Sequence, residues 1–275
     1  DESYEPSDDD LVCTFRLVPG EGLSVAEAAA RVASESSNGT WAALSPDSDV
    51  RAYSAIACGI GGNGEYGTDV RVAYPSALFE DGSLPQILSC IAGNIMGMKA
   101  VQTIRLLDCE WPETLVHSFP GPQYGSSVRT KLLDAHDRPP LATVPKPKVG
   151  LSTDEHARIG YDAWVGGVDL LKDDENLTDQ SFNPFEQRVT ESLAARDRAE
   201  SETGERKEYL VNITAETDEM LRRAEFVADH GGSFVMIDVI TAGWSGLETV
   251  RRRTEDLDVA IHAHRAMHAA FDRLP

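Results

Sequence analysis

Residues 166–176 read GGVDLLKDDEN, and this stretch does most to decide the fold. The run VDLL at 168–171 predicts a short buried strand, and Lys172 follows where that strand ends, ahead of three consecutive carboxylates. Polar side chains directly after a buried strand are typical of the edge of a parallel sheet at which α/β enzymes carry their chemistry. The stretch therefore predicts both a βα unit and a candidate site.

The same pattern recurs through the second part of the chain. Strand-like segments, each leading into a helical segment, end near Lys148, Lys172, Thr214, Asp238 and His264. Ser152 with Glu155 predicts a capping box at the first of these helices. Five consecutive βα units indicate a parallel sheet, either doubly wound or a barrel. Because eight units close a TIM barrel, we interpret this part as about five of eight units, in a chain truncated at its C-terminal end.

The first part of the chain reads as a mixed α+β domain. The predicted strands are Val12–Leu17, Ala52–Ala57, Val70–Tyr74 and Thr103–Leu107. The predicted helices are Val25–Ser34, with Ser24 as N-cap, and Leu84–Met98. A stretch rich in Pro, Gly and Ser, residues 119–140, predicts a connection. We therefore expect an α+β N-terminal domain over 1–118 and a catalytic α/β barrel domain over 119–275.

The charge balance is strongly acidic. Forty-six acidic residues oppose 25 basic ones, giving a formal net charge of −21. Such an excess repels nucleic acid and anionic membranes, so neither is expected as a partner. Repulsion between like charges weakens at molar salt, which favours a protein of a salt-loving cell over an ordinary acidic protein.

Neither the cysteines nor the apolar segments indicate export or a membrane. The spacing of the four cysteines fits neither a metal site nor a disulfide scaffold. No run approaches the roughly 18 apolar residues of a membrane span, and the acidic N-terminus is unlike a signal peptide. A cytoplasmic location is the expectation.

Three groups of residues are candidates for chemistry. Asp173, Asp174 and Glu175 offer the oxygen ligands that Mg²⁺ prefers, although an acidic loop is the alternative reading. Lys146 and Lys148 place two of only six lysines after the neighbouring strand, where cations suit phosphorylated or enolate-forming substrates; solvated surface lysines are the alternative.

The third group is the cluster His262, His264, Arg265 and His268. His262 and His264 lie on one face of a predicted strand, since side chains alternate with period two. Arg265 is expected to open the next helix, a place where phosphate binds. By contrast, the glycines at 59, 61 and 64 only superficially match a dinucleotide fingerprint, because no helix follows, and they predict a flexible hairpin loop.

Together these motifs resemble the large subunit of ribulose-1,5-bisphosphate carboxylase/oxygenase (RuBisCO). GGVDLLKDDEN is similar to the activation-lysine signature of that family, and KPKVGLS at 146–152 and HRAMHA at 264–269 resemble two further motifs. In the first part, ESSNGTW at 35–41 and GNIMGMK at 93–99 match as well. The five motifs follow the family's order over nearly the whole chain.

The resemblance implies a set of roles. Lys172 resembles the lysine that reacts with CO2 to form a carbamate, which would hold Mg²⁺ together with Asp174 and Glu175. Lys146 resembles the general acid, with Lys148 supporting its pKa, and His264 resembles the residue that handles hydroxyl protons. The residues that the resemblance implies for substrate binding are Glu35, Thr40, Trp41, Asn94, Lys148, Arg265 and His268.

The implied reaction is carboxylation, with competing oxygenation, of ribulose 1,5-bisphosphate to 3-phosphoglycerate through an enediolate. Because the N-terminal residues of the family reach into a partner's barrel, at least a homodimer is expected. Val144 and Pro145 depart from the plant-type pattern, which favours the archaeal form III branch that works on ribulose bisphosphate from nucleotide breakdown.

Two alternatives stay open at this stage. One is a RuBisCO-like enolase or isomerase of another phosphorylated sugar, although such relatives usually alter the catalytic residues retained here. The other is a non-catalytic fragment. The mobile lysine loop and the later phosphate-binding strand ends of the family have no counterpart up to residue 275, so we expect the 275-residue chain alone to be inactive.

Overall fold

The computed structural model describes residues 3–40, 45 and 48–273. The chain divides into two compact units: a first unit that runs to Phe119 and a second unit that begins at Pro120. Each unit has its own hydrophobic core, and the second carries most of the motifs that suggested chemistry.

Within the described residues, the first unit contains an antiparallel four-stranded sheet and three α-helices. The strands follow the order β2-β3-β1-β4 across the sheet. Their bounds are β1 Asp10–Pro19, β2 Ile56–Gly64, β3 Gly67–Pro75 and β4 Val101–Glu110. The helices are α1 Val25–Glu35, α2 Leu84–Ile91 and α3 Glu113–His117.

Alternation and capping explain the elements at the start of this unit. Leu11, Phe15 and Leu17 on β1 are buried in the core, as the period of two in a strand requires. The Ser24 side chain accepts from the Glu27 amide, and the Glu27 carboxylate accepts from the Ser24 amide. This capping box starts α1, which then turns its small apolar face towards the sheet.

The predicted helix Leu84–Met98 is too long. Helix α2 ends at Ile91, and residues Asn94–Gly97 form a separate 3₁₀ turn. A Cβ atom at Gly93 would lie 1.9 Å from the carbonyl oxygen of Ser89, so the chain can leave the helix in this direction only because glycine has no side chain.

The predicted strand Ala52–Ala57 is largely wrong. Residues Asp49–Tyr53 form a 3₁₀ helix, and β2 begins at Ile56, opposite Ala73. The partner strand β3 ends two residues later at Pro75, which has no amide proton to donate. Little of the ladder is therefore available to residues before Ile56.

The expected glycine loop is instead part of a strand. Gly59, Gly61 and Gly64 lie within β2, and only residues 65 and 66 form the turn into β3. The pairing of β2 with β3 shifts register between Ala57 and Gly59 and again between Ile60 and Asn63. Glycine at such positions allows bulges in a ladder. The hairpin was predicted correctly, and no helix follows the glycines.

The second unit contains a parallel sheet in which sequence order and spatial order coincide. The strands are β5 Ala142–Thr143, β6 Leu170–Lys172, β7 Glu208–Asn212, β8 Phe234–Asp238 and β9 Ala260–His264. The helices are α4 Val128–Lys131, α5 Thr153–Val165, α6 Phe185–Thr203, α7 Thr217–Asp229, α8 Val239–Ala242, α9 Trp244–Arg253 and α10 Ala269–Asp272. Parallel neighbours joined by helices are the arrangement of a partial α/β barrel.

The sheet of this unit is buried beneath its helices. Strands β7 and β8 are buried at every residue, as expected for strands covered on both faces. Trp164 of α5, Val189 of α6 and Val227 of α7 belong to the core that packs on them. Ser152 and Glu155 form the predicted capping box at the start of α5.

The first strand of the second unit is shorter than predicted. Strand β5 covers only Ala142–Thr143, whereas we expected it to extend to about Lys148. Pro145 and Pro147 lack amide protons, so the ladder with β6 cannot continue through them. Lys146 and Lys148 therefore lie on a loop beyond the strand.

No helix within the described residues is long and apolar enough to cross a membrane.

Candidate active site

Polar side chains gather where the parallel strands of the second unit end. β6 ends at Lys172, β7 at Asn212, β8 at Asp238 and β9 at His264. Asp238 lies directly opposite His264 in the β8–β9 ladder. Because parallel strands run in one direction, these termini and the loops after them share one edge of the sheet.

Asp174 and Lys146 form an ion pair at this edge. The Lys146 Nζ donates to Asp174 Oδ2 at 2.9 Å, and the amide and side chain of Asn176 both donate to Asp174 Oδ1 at 3.1 Å. Burial alone would raise the pKa of Asp174, but the hydrogen bonds from Lys146 and Asn176 outweigh it and hold that pKa below its ordinary value. Asp174 is thus an ionised oxygen donor.

Lys172 is held at the end of β6 by neutral acceptors. Its Nζ donates to the backbone oxygen of Asp173 at 2.8 Å and lies 3.5 Å from the sulfur of Met236 on β8. Met236 is also the residue opposite His262 in the next ladder. The amine therefore points towards the ends of the following strands and not into the α5–α6 layer.

His264 joins two carboxylates. Its Nδ1 lies 2.8 Å from Asp238 Oδ1, and its Nε2 lies 3.8 Å from Glu175 Oε2. Burial raises the pKa of Asp238, although the neighbouring His264 opposes this shift. The contact orients the ring of His264 and leaves its Nε2 towards Glu175.

The two histidines of β9 share one face of the strand, as predicted. Their ring centroids lie 6.3 Å apart. Burial, together with the nearby charges of Lys172 and His264, lowers the pKa of His262 below its ordinary value. His262 is therefore neutral over most of the physiological range and adds no further positive charge beside the lysine.

Asp173 differs from its two acidic neighbours because it is fully buried below the strand end. It accepts from the Tyr209 hydroxyl at 2.6 Å and from the Asn212 amide at 3.0 Å. Arg188 Nε lies 3.3 Å and His156 Nε2 3.2 Å from its oxygens. These partners outweigh the effect of burial and lower the pKa of Asp173, so the carboxylate is ionised inside the protein.

The residues around Asp173 were missed by the sequence analysis. His156 and Arg188 lie on helices α5 and α6, and nothing in their local sequence marks them as parts of a polar cluster. Asp238 was recognised only as a strand end, yet its position opposite His264 on the neighbouring strand was the available signal.

The remaining candidates of the second unit are only partly assembled. Arg265 does not open a helix as predicted, because α10 begins at Ala269 and His268 precedes it as the N-cap residue. The Arg265 guanidinium contacts the ring of His268, whose Nδ1 lies 3.4 Å from Asp272. Lys148 is exposed on the loop after β5.

In the first unit, two of the candidates contact each other. The Asn94 side chain donates to Glu35 Oε1 at 2.6 Å, which links the end of α1 to the 3₁₀ turn after α2. The Thr40 amide donates to Asn38 Oδ1 at 3.4 Å. Trp41 lies outside the described residues.

The donor set suits a hard divalent cation. Asp174 and Glu175 supply carboxylate oxygens, Glu175 is partly exposed, and Lys172 lies just before them at the end of β6. In the part of the chain that the structure describes, no three His, Cys, Asp or Glu side chains are arranged to hold a metal ion.

Comparison with known proteins gives the family. Residues 125–275 match the model of the ribulose bisphosphate carboxylase large chain, catalytic domain, and residues 1–115 match that of its N-terminal domain. The chain is 51% identical over 277 residues to the ribulose bisphosphate carboxylase of Pyrococcus abyssi and 46% identical over 279 residues to that of Methanosarcina mazei. All of the chain is covered in both matches, but it spans only 65% and 64% of the length of these relatives.

Solved structures agree with the family models. The dimeric archaeal Rubisco from Hyperthermus butylicus matches with a TM-score of 0.95 at 48% identity, over 100% of this chain and 64% of that one. The octameric Rubisco from Pyrococcus horikoshii matches with a TM-score of 0.94 at 49% identity, over 100% and 66%. The predicted fold class, an α+β N-terminal domain followed by an α/β barrel domain, is confirmed. The chain belongs to the ribulose bisphosphate carboxylase large-chain family.

Proposed function

We propose that the whole protein from which this chain comes carboxylates ribulose 1,5-bisphosphate to 3-phosphoglycerate, with oxygenation as the competing reaction. The observation that carries the proposal is the convergence of Lys146, Lys172, Asp174, Glu175 and His264 at one edge of the parallel sheet. The names of the curated relatives and of the solved neighbours support the same reaction.

Lys172 is the proposed site of activation. Its ammonium would first lose a proton; attack of the neutral amine on CO2 would then form an N–C bond and release a second proton. A carbamate oxygen donor would then lie beside Asp174 and Glu175. Its position at the end of β6, just before Asp174 and Glu175, supports this role. These three residues would hold Mg²⁺, which acts as a Lewis acid on the substrate's ketone when bound.

The remaining residues divide the proton transfers and the binding between them. Lys146 is the proposed general acid, since the ion pair with Asp174 keeps its ammonium beside the site. Its neighbour Lys148 would support that acidity. His264, oriented by Asp238, would hold and return protons of the substrate hydroxyls.

Substrate binding draws on both units. Arg265 and His268 are proposed to grip a phosphate in the barrel domain. Glu35, Asn94, Thr40 and Trp41 are proposed to complete the site of a partner subunit, and the hydrogen bond between the first two supports a shared role. The dimeric and octameric relatives support a homodimer, or a larger assembly of dimers, as the working form.

Three finer points complete the proposal. The net charge of −21 supports work in a salt-rich cytoplasm. The archaeal relatives support the form III branch, with ribulose bisphosphate supplied by nucleotide breakdown. Neither nucleic acid nor a membrane is proposed as a partner.

The test is fixation of labelled CO2 by the full-length product in molar KCl with Mg²⁺, dependent on ribulose bisphosphate. We expect fixation that is lost in Lys172→Ala and on removal of Mg²⁺ by a chelator, and that survives in Lys131→Ala, which changes an exposed lysine of α4. A folded full-length protein that binds Mg²⁺ but fixes no CO2 would instead indicate a RuBisCO-like enolase or isomerase.

A further inference from the structure

Two cysteines face each other across neighbouring strands of the first unit. Cys13 on β1 and Cys109 on β4 are direct partners in the antiparallel ladder, and their sulfur atoms lie 3.7 Å apart. Residues directly opposite each other in such a ladder have Cα atoms about 4.5–5.5 Å apart. This range lies within the one that a disulfide requires, about 4.4–6.8 Å. The pair can therefore be bridged without separating the strands.

The local backbone leaves room for the sulfur atoms to approach. β4 is an edge strand of the sheet, and its pairing with β1 shifts register between Thr14 and Phe15, one residue pair beyond the cysteines. The Cys109 amide donates to the Asp108 side chain at 2.9 Å. Adjustments at a bulged edge disturb one ladder only, whereas the same movement inside a sheet would disturb two.

The two thiols differ in exposure and in electrostatics. Cys13 is fully buried in the core, while Cys109 is partly exposed at the edge. The contact between the two sulfurs, in which either thiol can donate, lowers the pKa of Cys109 below its ordinary value, and the same contact, together with burial, raises the pKa of Cys13. The partly exposed sulfur of Cys109 thus has the greater thiolate character, and the buried sulfur of Cys13 lies beside it as a thiol.

We propose that Cys13 and Cys109 form a reversible disulfide within one chain, with Cys109 as the sulfur that reacts with a hydroperoxide and Cys13 as the resolving thiol. In the first step the Cys109 thiolate attacks the peroxide, the O–O bond breaks, and Cys109 becomes a sulfenic acid as alkoxide leaves, or hydroxide in the case of hydrogen peroxide. In the second step Cys13 loses its proton and attacks that sulfur, so the S–S bond forms and water leaves. The two sulfurs are oxidised by two electrons, and the hydroperoxide is reduced by two.

The other two cysteines serve as internal controls. Cys58 lies on β2, where its thiol donates to the carbonyl of Arg71 at 3.6 Å, and Cys90 on α2 accepts from the Gln86 side chain at 3.5 Å. Burial raises the pKa of both thiols. Neither has the combination of exposure and thiolate character of Cys109.

The experiment treats the folded protein with hydrogen peroxide in molar KCl, blocks the remaining thiols with N-ethylmaleimide and maps the tryptic peptides by mass spectrometry. We expect one linkage, between the peptides that contain Cys13 and Cys109, with loss of the free thiols of these two residues. Dithiothreitol should restore both. The linkage should persist in a Cys58→Ser, Cys90→Ser double variant and should form within single chains at every protein concentration.

Variants of the pair separate the two roles. In Cys13→Ala the sulfenic acid on Cys109 should accumulate and react with dimedone, whereas in Cys109→Ala the buried Cys13 should remain a thiol. The proposal is overturned if Cys13 and Cys109 both remain thiols in the folded protein, if Cys109 pairs with Cys58 or Cys90, or if Cys109 oxidises beyond the sulfenic acid without linking to Cys13. None of these readouts depends on carboxylase activity, so the result stands apart from the proposed function.

Discussion

The two units differ in what they bury. Among the described residues, the first unit buries three polar or charged residues, Asp10, Ser36 and Thr68, whereas the second buries fifteen. The sheet of the first unit packs against its helices through Leu, Ile, Val and Phe side chains. The second encloses ion pairs such as Asp173 with Arg188.

This difference follows from the position of the candidate site. Taking a charge out of water costs several kcal/mol, and a partner repays the cost only with good geometry. In the second unit, the charges taken out of water lie beneath the strand ends that carry Lys172 and Asp174. Asp173, fixed by four partners, holds the backbone between these two residues. Buried polarity here therefore serves the geometry of the edge more than the stability of the fold.

The largest expected effect is on activity, and it tests the exposed Lys146 at the edge of the sheet. In the full-length protein, Lys146→Met should lower ribulose bisphosphate-dependent CO2 fixation by about 10²- to 10⁴-fold, the usual contribution of a general acid. The fold should be retained, because the Lys146 side chain is 63% exposed. The matched control is Lys131→Met. Fixation at the level of the control would remove Lys146 from the proposed mechanism.

The second effect is on stability and contrasts a buried ion pair with a surface one. Arg188→Met removes the guanidinium beside the buried Asp173 charge and should lower the free energy of unfolding by about 3–5 kcal/mol. Arg16→Met in the first unit removes an ion pair with Asp69, in which both side chains are more than a third exposed, and should cost less than about 1 kcal/mol. Urea unfolding in molar KCl measures both, and equal losses would contradict the comparison.

The third prediction concerns the capping box, which is present in both units. Ser24→Ala and Ser152→Ala each remove a capping box, at α1 and α5 respectively. Each substitution should cost about 1 kcal/mol, because the local geometry is the same in both. Thermal melting of the two variants checks this. A loss confined to one of them would mean that the surroundings of the helix, and not the cap, set the cost.

The smallest expected effect is a change in how the free energy of unfolding depends on pH at acidic pH. Hydrogen bonds from Arg222, and next from Arg223, lower the pKa of Glu219 from 4.5 to about 2. A carboxyl group with a depressed pKa in the folded state stabilises the protein above its unfolded pKa, and this stabilisation is lost as the pH falls from 4.5 towards 2.

Glu219→Gln should therefore make stability less dependent on pH in this window, by less than about 1 kcal/mol, since the side chain is partly solvated. Urea midpoints measured near pH 6 and near pH 3 for the variant and the parent provide the comparison. An unchanged or larger difference between the two pH values in the variant would contradict the assigned pKa.

Regular patterns made most of the fold predictable. Strands β6, β8 and β9 end where the sequence placed polar residues after apolar runs, and both capping boxes form as expected. The predicted element bounds are wrong where contacts with another part of the chain determine the conformation. The end of α2 depends on the approach of Gly93 to a carbonyl, and the start of β2 depends on where β3 ends.

The site was predictable to the extent that it follows the strand ends. Lys172, Asp174 and His264 were found because a residue after a buried strand reaches the sheet edge. The separate role of Asp173 was not predictable, because it depends on Arg188 and His156 from helices that sequence spacing does not relate to it. Nor did spacing along the chain relate Cys13 to Cys109, which are 96 residues apart and meet only through the order of the sheet.

Strand β5 has only two residues, so the segment after it, which carries Lys146, is weakly held to the parallel sheet. Among the described residues, the ladder of β5 with β6 is limited to Ala142 with Leu170 and Thr143 with Leu171. Its opening breaks few backbone hydrogen bonds, so its amides belong to the low-stability end of the molecule, where local unfolding needs far less free energy than global unfolding. In amide hydrogen exchange, residues 144–150 should therefore lose protection long before β7 and β8, and the proposed proton donor can leave its site and return while the sheet remains intact.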